Sequence, residues 1–213
     1  MSQIDSSPRS AAPAVVNTPP RMLNHFARVT PDAEATVDFY TRVMNMKFVQ
    51  AVVDGKIPST GEPIPYFHIF FRLGDGSTLA FFEAPGLPDR PPPPHAAYDT
   101  FDHLALHADS VAEVDAWHRH LLAHGLEVVG PVDHGIVYSI YFRDPINDVR
   151  LEITTPLEPD WNDQADAAAT ALTEWVAAKR SAVQLAEEKG TAVGPELSAM
   201  IAELHKPPPS HDS

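Results

Sequence analysis

Apolar and polar positions between residues 22 and 156 run through one sequence of patterns and then repeat it. Residues 22–29 (MLNHFARV) form a strand-like run ended by Thr30-Pro31-Asp32, where Thr30 reads as a helix N-cap with Pro31 in the first turn. The following stretch spaces Ala33, Val37, Tyr40, Val43 and Met44 along one helical face, and Asn45 sits where a left-handed residue ends a helix. Strands are predicted over 46–53, 66–73 and 77–83, the last two joined by the hairpin signal Gly74-Asp75-Gly76. The second round has a strand at 102–108, a helix at 111–124 stopped by Gly125, and strands at 126–129, 136–142 and 149–154. A loop at 130–135 and a turn at 144–148 separate those strands.

This is an internal repeat of strand, helix, strand, strand, strand. His25 and His103 open the two rounds, and their separation equals that of Phe39 from Trp117 on the two helices. The predicted fold is α+β: a tail at 1–20, a first βαβββ module at 21–84, a linker at 85–99, a second module at 100–156 and a helical extension at 157–213. Pro91 to Pro94 make the linker stiff and poor in donors, an extended surface segment. The tail is rich in Pro, Ser and Ala and lacks the periodicity that would offset its ordering entropy. In the extension, 163–189 is a strong helix by propensity, ended by Gly190 and Gly194-Pro195, with a shorter helix at 196–205.

Charge and composition narrow the function. The 213 residues carry 29 acidic and 15 basic side chains, a net charge of −14, and no run of Lys or Arg interrupts it. Nucleic acid is therefore an unsuitable partner. No apolar run reaches membrane-spanning length, and the expectation is a soluble cytoplasmic protein. With no cysteine, any bound metal must be held by nitrogen and oxygen, from 11 histidines and the carboxylates.

Strand alternation gives His25, Ala27 and Val29 one face, His103, Ala105 and His107 another, and Leu79, Phe81 and Glu83 a third. If the two sheets curl together, His25, His103, Glu83 and Glu152 converge on one divalent ion. Two histidines with one carboxylate suit non-haem Fe(II), and four donors suit Ni(II), Zn(II) or a similar ion. Taken singly, each histidine reads as an ordinary surface or hydrogen-bonded residue; their matched places in the repeat point to a site. His68 points into that cavity or away from it. His107, His118, His120 and His124 read as solvated, and His95, His205 and His211 sit in proline-rich or terminal segments.

The chain resembles the vicinal oxygen chelate superfamily of glyoxalases, bleomycin- and fosfomycin-resistance proteins and extradiol dioxygenases. The resemblance rests on His25 with DAEATVDFY, FYTRVMNMKFV, LGDGSTLAFFE ending at Glu83, FDHLALH with His103, and DHGIVYSIYFRDPINDVRLE ending at Glu152. It implies paired βαβββ modules forming a cup around one metal, which a small-molecule substrate chelates through adjacent oxygens, and a homodimer. It further implies an enzyme in which His25, His103 and Glu152 hold Fe(II), or Ni(II), Zn(II) or Mn(II), while Tyr141 hydrogen-bonds the substrate. Ser77 stands where extradiol enzymes keep a proton-shuttling histidine, leaving that role to His68 or His134. Glu83 matches a glyoxalase ligand and base. The first expectation is an extradiol-type dioxygenase acting on an aromatic, catechol-like diol; a glyoxalase-like lyase or isomerase, or a non-catalytic binder, are the alternatives. Phe70, Phe81, Ile140 and Phe142 near the expected cup suit an aromatic ligand and serve equally as ordinary core.

Overall fold

The computed structural model describes residues 18–88 and 90–204. The expected tail falls largely outside them, as do His205 and His211. Strand β1 (His25–Thr30) leads through helix α1 (Ala33–Asp38) to β2 (Lys47–Asp54), β3 (Tyr66–Arg72) and β4 (Thr78–Glu83). Helix α2 (Ala96–Phe101) precedes the second round of β5 (Leu104–His107), α3 (Val111–Ala123), β6 (Val128–Asp133), β7 (Val137–Arg143) and β8 (Arg150–Pro156). Helices α4 (Ala165–Lys189) and α5 (Val193–Leu204) complete it. The chain divides into two compact units, one within Met1–His134 and Tyr138–Thr155, the other within Gly135–Val137 and Pro156–Ser213.

Each round builds a four-stranded mixed sheet, in the orders β1-β4-β3-β2 and β5-β8-β7-β6. Its first and last strands lie parallel, and the helix after the first strand carries the chain to the opposite edge of the sheet. Helix α1 is capped by Asp32 and not by Thr30: the Asp32 carboxylate accepts from the Ala35 N–H at 2.9 Å. Thr30 is drawn into the core instead, its hydroxyl 2.7 Å from that of Thr36. Past Asp38 the helix widens into a π turn, Phe39–Val43, which puts Phe39, Tyr40 and Val43 all against the core. Asn45, at φ 54°, ends it as the pattern implies.

The linker is less extended than its prolines suggest, because 96–101 is helical and His95 caps it by accepting from the Ala97 N–H at 3.0 Å. The predicted loop at 130–135 is also partly strand. β6 continues to Asp133 through a bulge between Val129 and Val132.

Both sheets of the first unit share one core, in which Tyr40, Phe71, Phe81 and Ile69 meet Val114, Leu121, Ile140 and Leu151. Tyr40 is fully buried and stacks on Phe71 at 5.1 Å between ring centres. Burying one such side chain contributes about 1.5–3 kcal/mol. The two rounds are also tied by polar groups. The Tyr40 hydroxyl donates to Asp144 at 2.9 Å, and the His120 ring donates to the Val43 carbonyl at 2.8 Å. His120 is thus a core contact and not a solvated residue.

In the second unit α4 and α5 pack together across a turn, where Glu196 accepts from Lys189 at 3.1 Å and from Thr191 at 2.9 Å. Gly194-Pro195 lie in the first turn of α5, where proline is tolerated. No helix among the described residues is long and apolar enough to cross a membrane.

Candidate functional site

Pairing fixes which side chains share a face. In the first sheet His25, Ala27 and Val29 lie beside Thr78, Ala80 and Phe82, and Phe82 lies beside His68. In the second, Ala105 lies beside Glu152. These faces lie opposite the helix-packed one, and His25, Ala27, Val29, His103, Ala105 and His107 on them are exposed.

On the second sheet four of the expected residues come together. The Nε2 of His103 is 2.8 Å from Oε2 of Glu152, and Nδ1 of the same ring donates to the Phe101 carbonyl at 2.8 Å. Tyr141 stands edge-on to His103 with ring centres 5.9 Å apart. Its hydroxyl is 2.8 Å from Nε2 of His134. Arg150, two residues before Glu152, lies over the Tyr141 ring at 4.6 Å. Glu152 is only 4% exposed although its face is open, because these neighbours screen it. Burial, and then the Glu152 charge, raise the Tyr141 pKa, so the phenol stays protonated. Arg150 was not anticipated; only its place one alternation from Glu152 could have signalled it.

On the first sheet His25 stands apart from that group. Its Nδ1 is 2.7 Å from the Asn24 side-chain oxygen, and its ring lies 6.2 Å from His68 and 5.9 Å from Phe70. His68 points to the same face as His25, stacks on Phe82 at 3.5 Å and keeps a buried Nε2 with no partner among the described residues. Desolvation, and then the nearby His25, push its pKa down to about 4, so it is neutral at pH 7.

Glu83 is turned the other way. It pairs with Thr30, on the helix side of β1, and accepts from the Ala33 N–H at 3.2 Å at the start of α1. The first-sheet counterpart of Glu152 is Ala80, because Ala27 pairs with Ala80 as Ala105 pairs with Glu152. Among the described residues no three His, Asp or Glu side chains converge within reach of one metal ion.

The donor chemistry nevertheless fits a divalent ion at His103 and Glu152. A metal-binding imidazole usually has its other nitrogen fixed by an acceptor, and both His103 and His25 have Nδ1 so held, leaving Nε2 for the metal.

Residues 22–153 match the profile of the Glyoxalase/Bleomycin resistance protein/Dioxygenase superfamily, and the chain belongs to it. Its α+β architecture of two four-stranded sheets is the fold of that class, and the helical extension of α4 and α5 lies beyond the matched residues. Among solved structures, a glyoxylase/bleomycin resistance protein/dioxygenase domain from Frankia sp. EAN1pec is similar at 17% identity and a TM-score of 0.52, over 66% of this chain and 96% of that one. Lactoylglutathione lyase from Agrobacterium tumefaciens is similar at 24% and 0.44, over 65% and 96%. The fosfomycin resistance protein FosX from Listeria monocytogenes, complexed with Mn(II) and sulfate, is similar at 21% and 0.43, over 63% and 92%. Among curated proteins none matches the chain.

Proposed function

We propose that the chain is a metal-dependent enzyme that holds one divalent ion, Fe(II) first, through His103, Glu152 and His25. The observation that carries this reading is the His103–Glu152 contact at 2.8 Å, flanked by Tyr141 and His134 on an open sheet face. With Glu83 on the opposite face, the donors reduce to two imidazoles and one carboxylate, a set that suits Fe(II) with positions left open. That favours an extradiol-type dioxygenase acting on a catechol-like diol. The bound ion would polarise the substrate oxygens that meet it.

The chain's own groups then handle the proton. Tyr141, kept protonated, donates a hydrogen bond to charge developing on a substrate oxygen. His134, exposed and 2.8 Å from the Tyr141 hydroxyl, carries a proton between that hydroxyl and solvent, the role that Ser77 cannot fill. His68, neutral and stacked on Phe82, shapes the first-sheet wall. The same Tyr141–His134 pair also supports a second reading, a glyoxalase-like lyase or isomerase that moves a proton alpha to a carbonyl.

His25 is assigned to the site from a second copy of the chain. A two-fold dimer sets each first sheet against the partner's second, and Val29, Val52 and Val129 on those faces are 45, 42 and 62% exposed. Metal analysis and oxygen uptake test the assignment. Fe(II)-loaded protein is expected to bind about one ion per chain and to consume oxygen on addition of a catechol. His103→Ala and Glu152→Ala are expected to abolish metal binding. Turnover of a hemithioacetal with no oxygen uptake selects the lyase, and failure to take up any divalent ion ends both readings.

A further inference from the structure

A cavity of about 870 Å³ opens between β1, β5 and the proline segment that joins the two rounds. Its walls include four arginines, Arg28, Arg90, Arg143 and Arg150, against three aspartates, Asp99, Asp102 and Asp148, a local excess of cations in a chain whose net charge is −14. Arg143 is accounted for: it donates to Asp148 at 2.8 Å and lies 3.7 Å from Asp99. The other three are not. Among the described residues no carboxylate stands within ion-pair distance of Arg28, Arg90 or Arg150. The Nε of Arg150 is buried without a hydrogen-bond partner while its guanidinium is held over Tyr141. Arg28 is half-buried, with Arg90 repelling it and Asp102 and Asp148 acting the other way without pairing with it.

Arg28 and Arg150 are partly desolvated and outside any ion pair among the described residues, and such guanidinium groups gain when an anion joins them. Their planar fork of donors matches the oxygens of a carboxylate or phosphate. Phe26, Phe101 and Leu104 supply apolar wall between these charges, and His103 lines the same space.

We propose that this cavity binds the oxyanion arm of the substrate, a carboxylate or phosphate group received by Arg28, Arg90 and Arg150. The substrate's reacting end then lies towards His103. The second statement rests on the metal-site reading; the first does not.

The test separates the two by using chelator-treated, metal-free full-length protein. Isothermal titration with phthalate, inorganic phosphate and neutral benzyl alcohol is run on the parent chain, on Arg28→Gln and Arg150→Gln, and on Arg72→Gln, whose exposed side chain lies outside the cavity. Saturable binding of phthalate assigns a carboxylate arm, and of phosphate a phosphate arm. Either should weaken by about tenfold or more in the two cavity variants and hold in the control. Arg28→Lys and Arg150→Lys, which keep the charge, should recover part of the loss and guard against misfolding as its cause. No saturable binding of either anion, or equal binding by all variants, would overturn the proposal. Anion binding by a chain that takes up no metal would keep the cavity and remove the metal site.

Discussion

Tyr40 and Asp144 form the polar centre of the first unit, each fully buried. Asp144 accepts from the Tyr40 hydroxyl, from the Ile146 and Asn147 N–H groups and from the Asn147 amide, so its charge is well solvated by protein. Tyr40→Phe removes one donor and is expected to lower stability by about 1–3 kcal/mol, read by urea denaturation. Burial and the Asp144 charge raise the Tyr40 pKa well above its ordinary 10.0. As pH rises past 10 the unfolded chain ionises this tyrosine first, so stability falls towards the folded pKa. The parent's urea midpoint should therefore drop more steeply above pH 10 than that of Tyr40→Phe. Glu83 carries a second expectation at this scale. Since it accepts from the Ala33 N–H, Glu83→Gln should leave metal content unchanged and reduce stability by about 0.5–1 kcal/mol. Loss of metal in that variant would restore Glu83 as a ligand.

Strand register decides what a glutamate can do. Glu83 and Glu152 look alike along the chain, each near the end of its round, yet they face opposite ways. Side chains alternate with a period of two, so an offset of an odd number of residues moves a group to the other face. Ala80 and Glu152 are the matched pair, and only the partners of β1 and β5 reveal it. The bulge in β6 is equally invisible to alternation. Gly130 adopts φ +114°, and a Cβ there would lie 2.9 Å from the Ser139 carbonyl oxygen. Gly130→Ala is expected to cost about 1–3 kcal/mol and to loosen the turn that carries His134. A thermal melt and the affinity for metal-free substrate analogues read the two effects.

At the scale of the whole molecule the question is which copy supplies His25. If each site draws on two chains, His25→Ala and Glu152→Ala are each inactive alone, and mixing them with subunit exchange should restore part of the activity. Two variants that stay inactive on mixing while forming dimers would place the site within one chain. Sedimentation at several concentrations checks that a dimer forms.

The repeat, its two βαβββ rounds and the helical extension were readable along the chain, because alternation and helical spacing are local consequences of backbone geometry, whereas His103 and Glu152 were singled out by their matched places in the repeat and Tyr141 by the family resemblance. Tertiary structure alone decided the rest. It turned Glu83 to the helix side, set His25 beside His68, bonded His120 to the Val43 carbonyl and gathered four arginines, scattered from position 28 to position 150, around one cavity. Distance along a chain says nothing of which strands pair or which edges meet. Those follow from how two sheets bury one core, and that is where a cluster of charge absent from any stretch of sequence came into being.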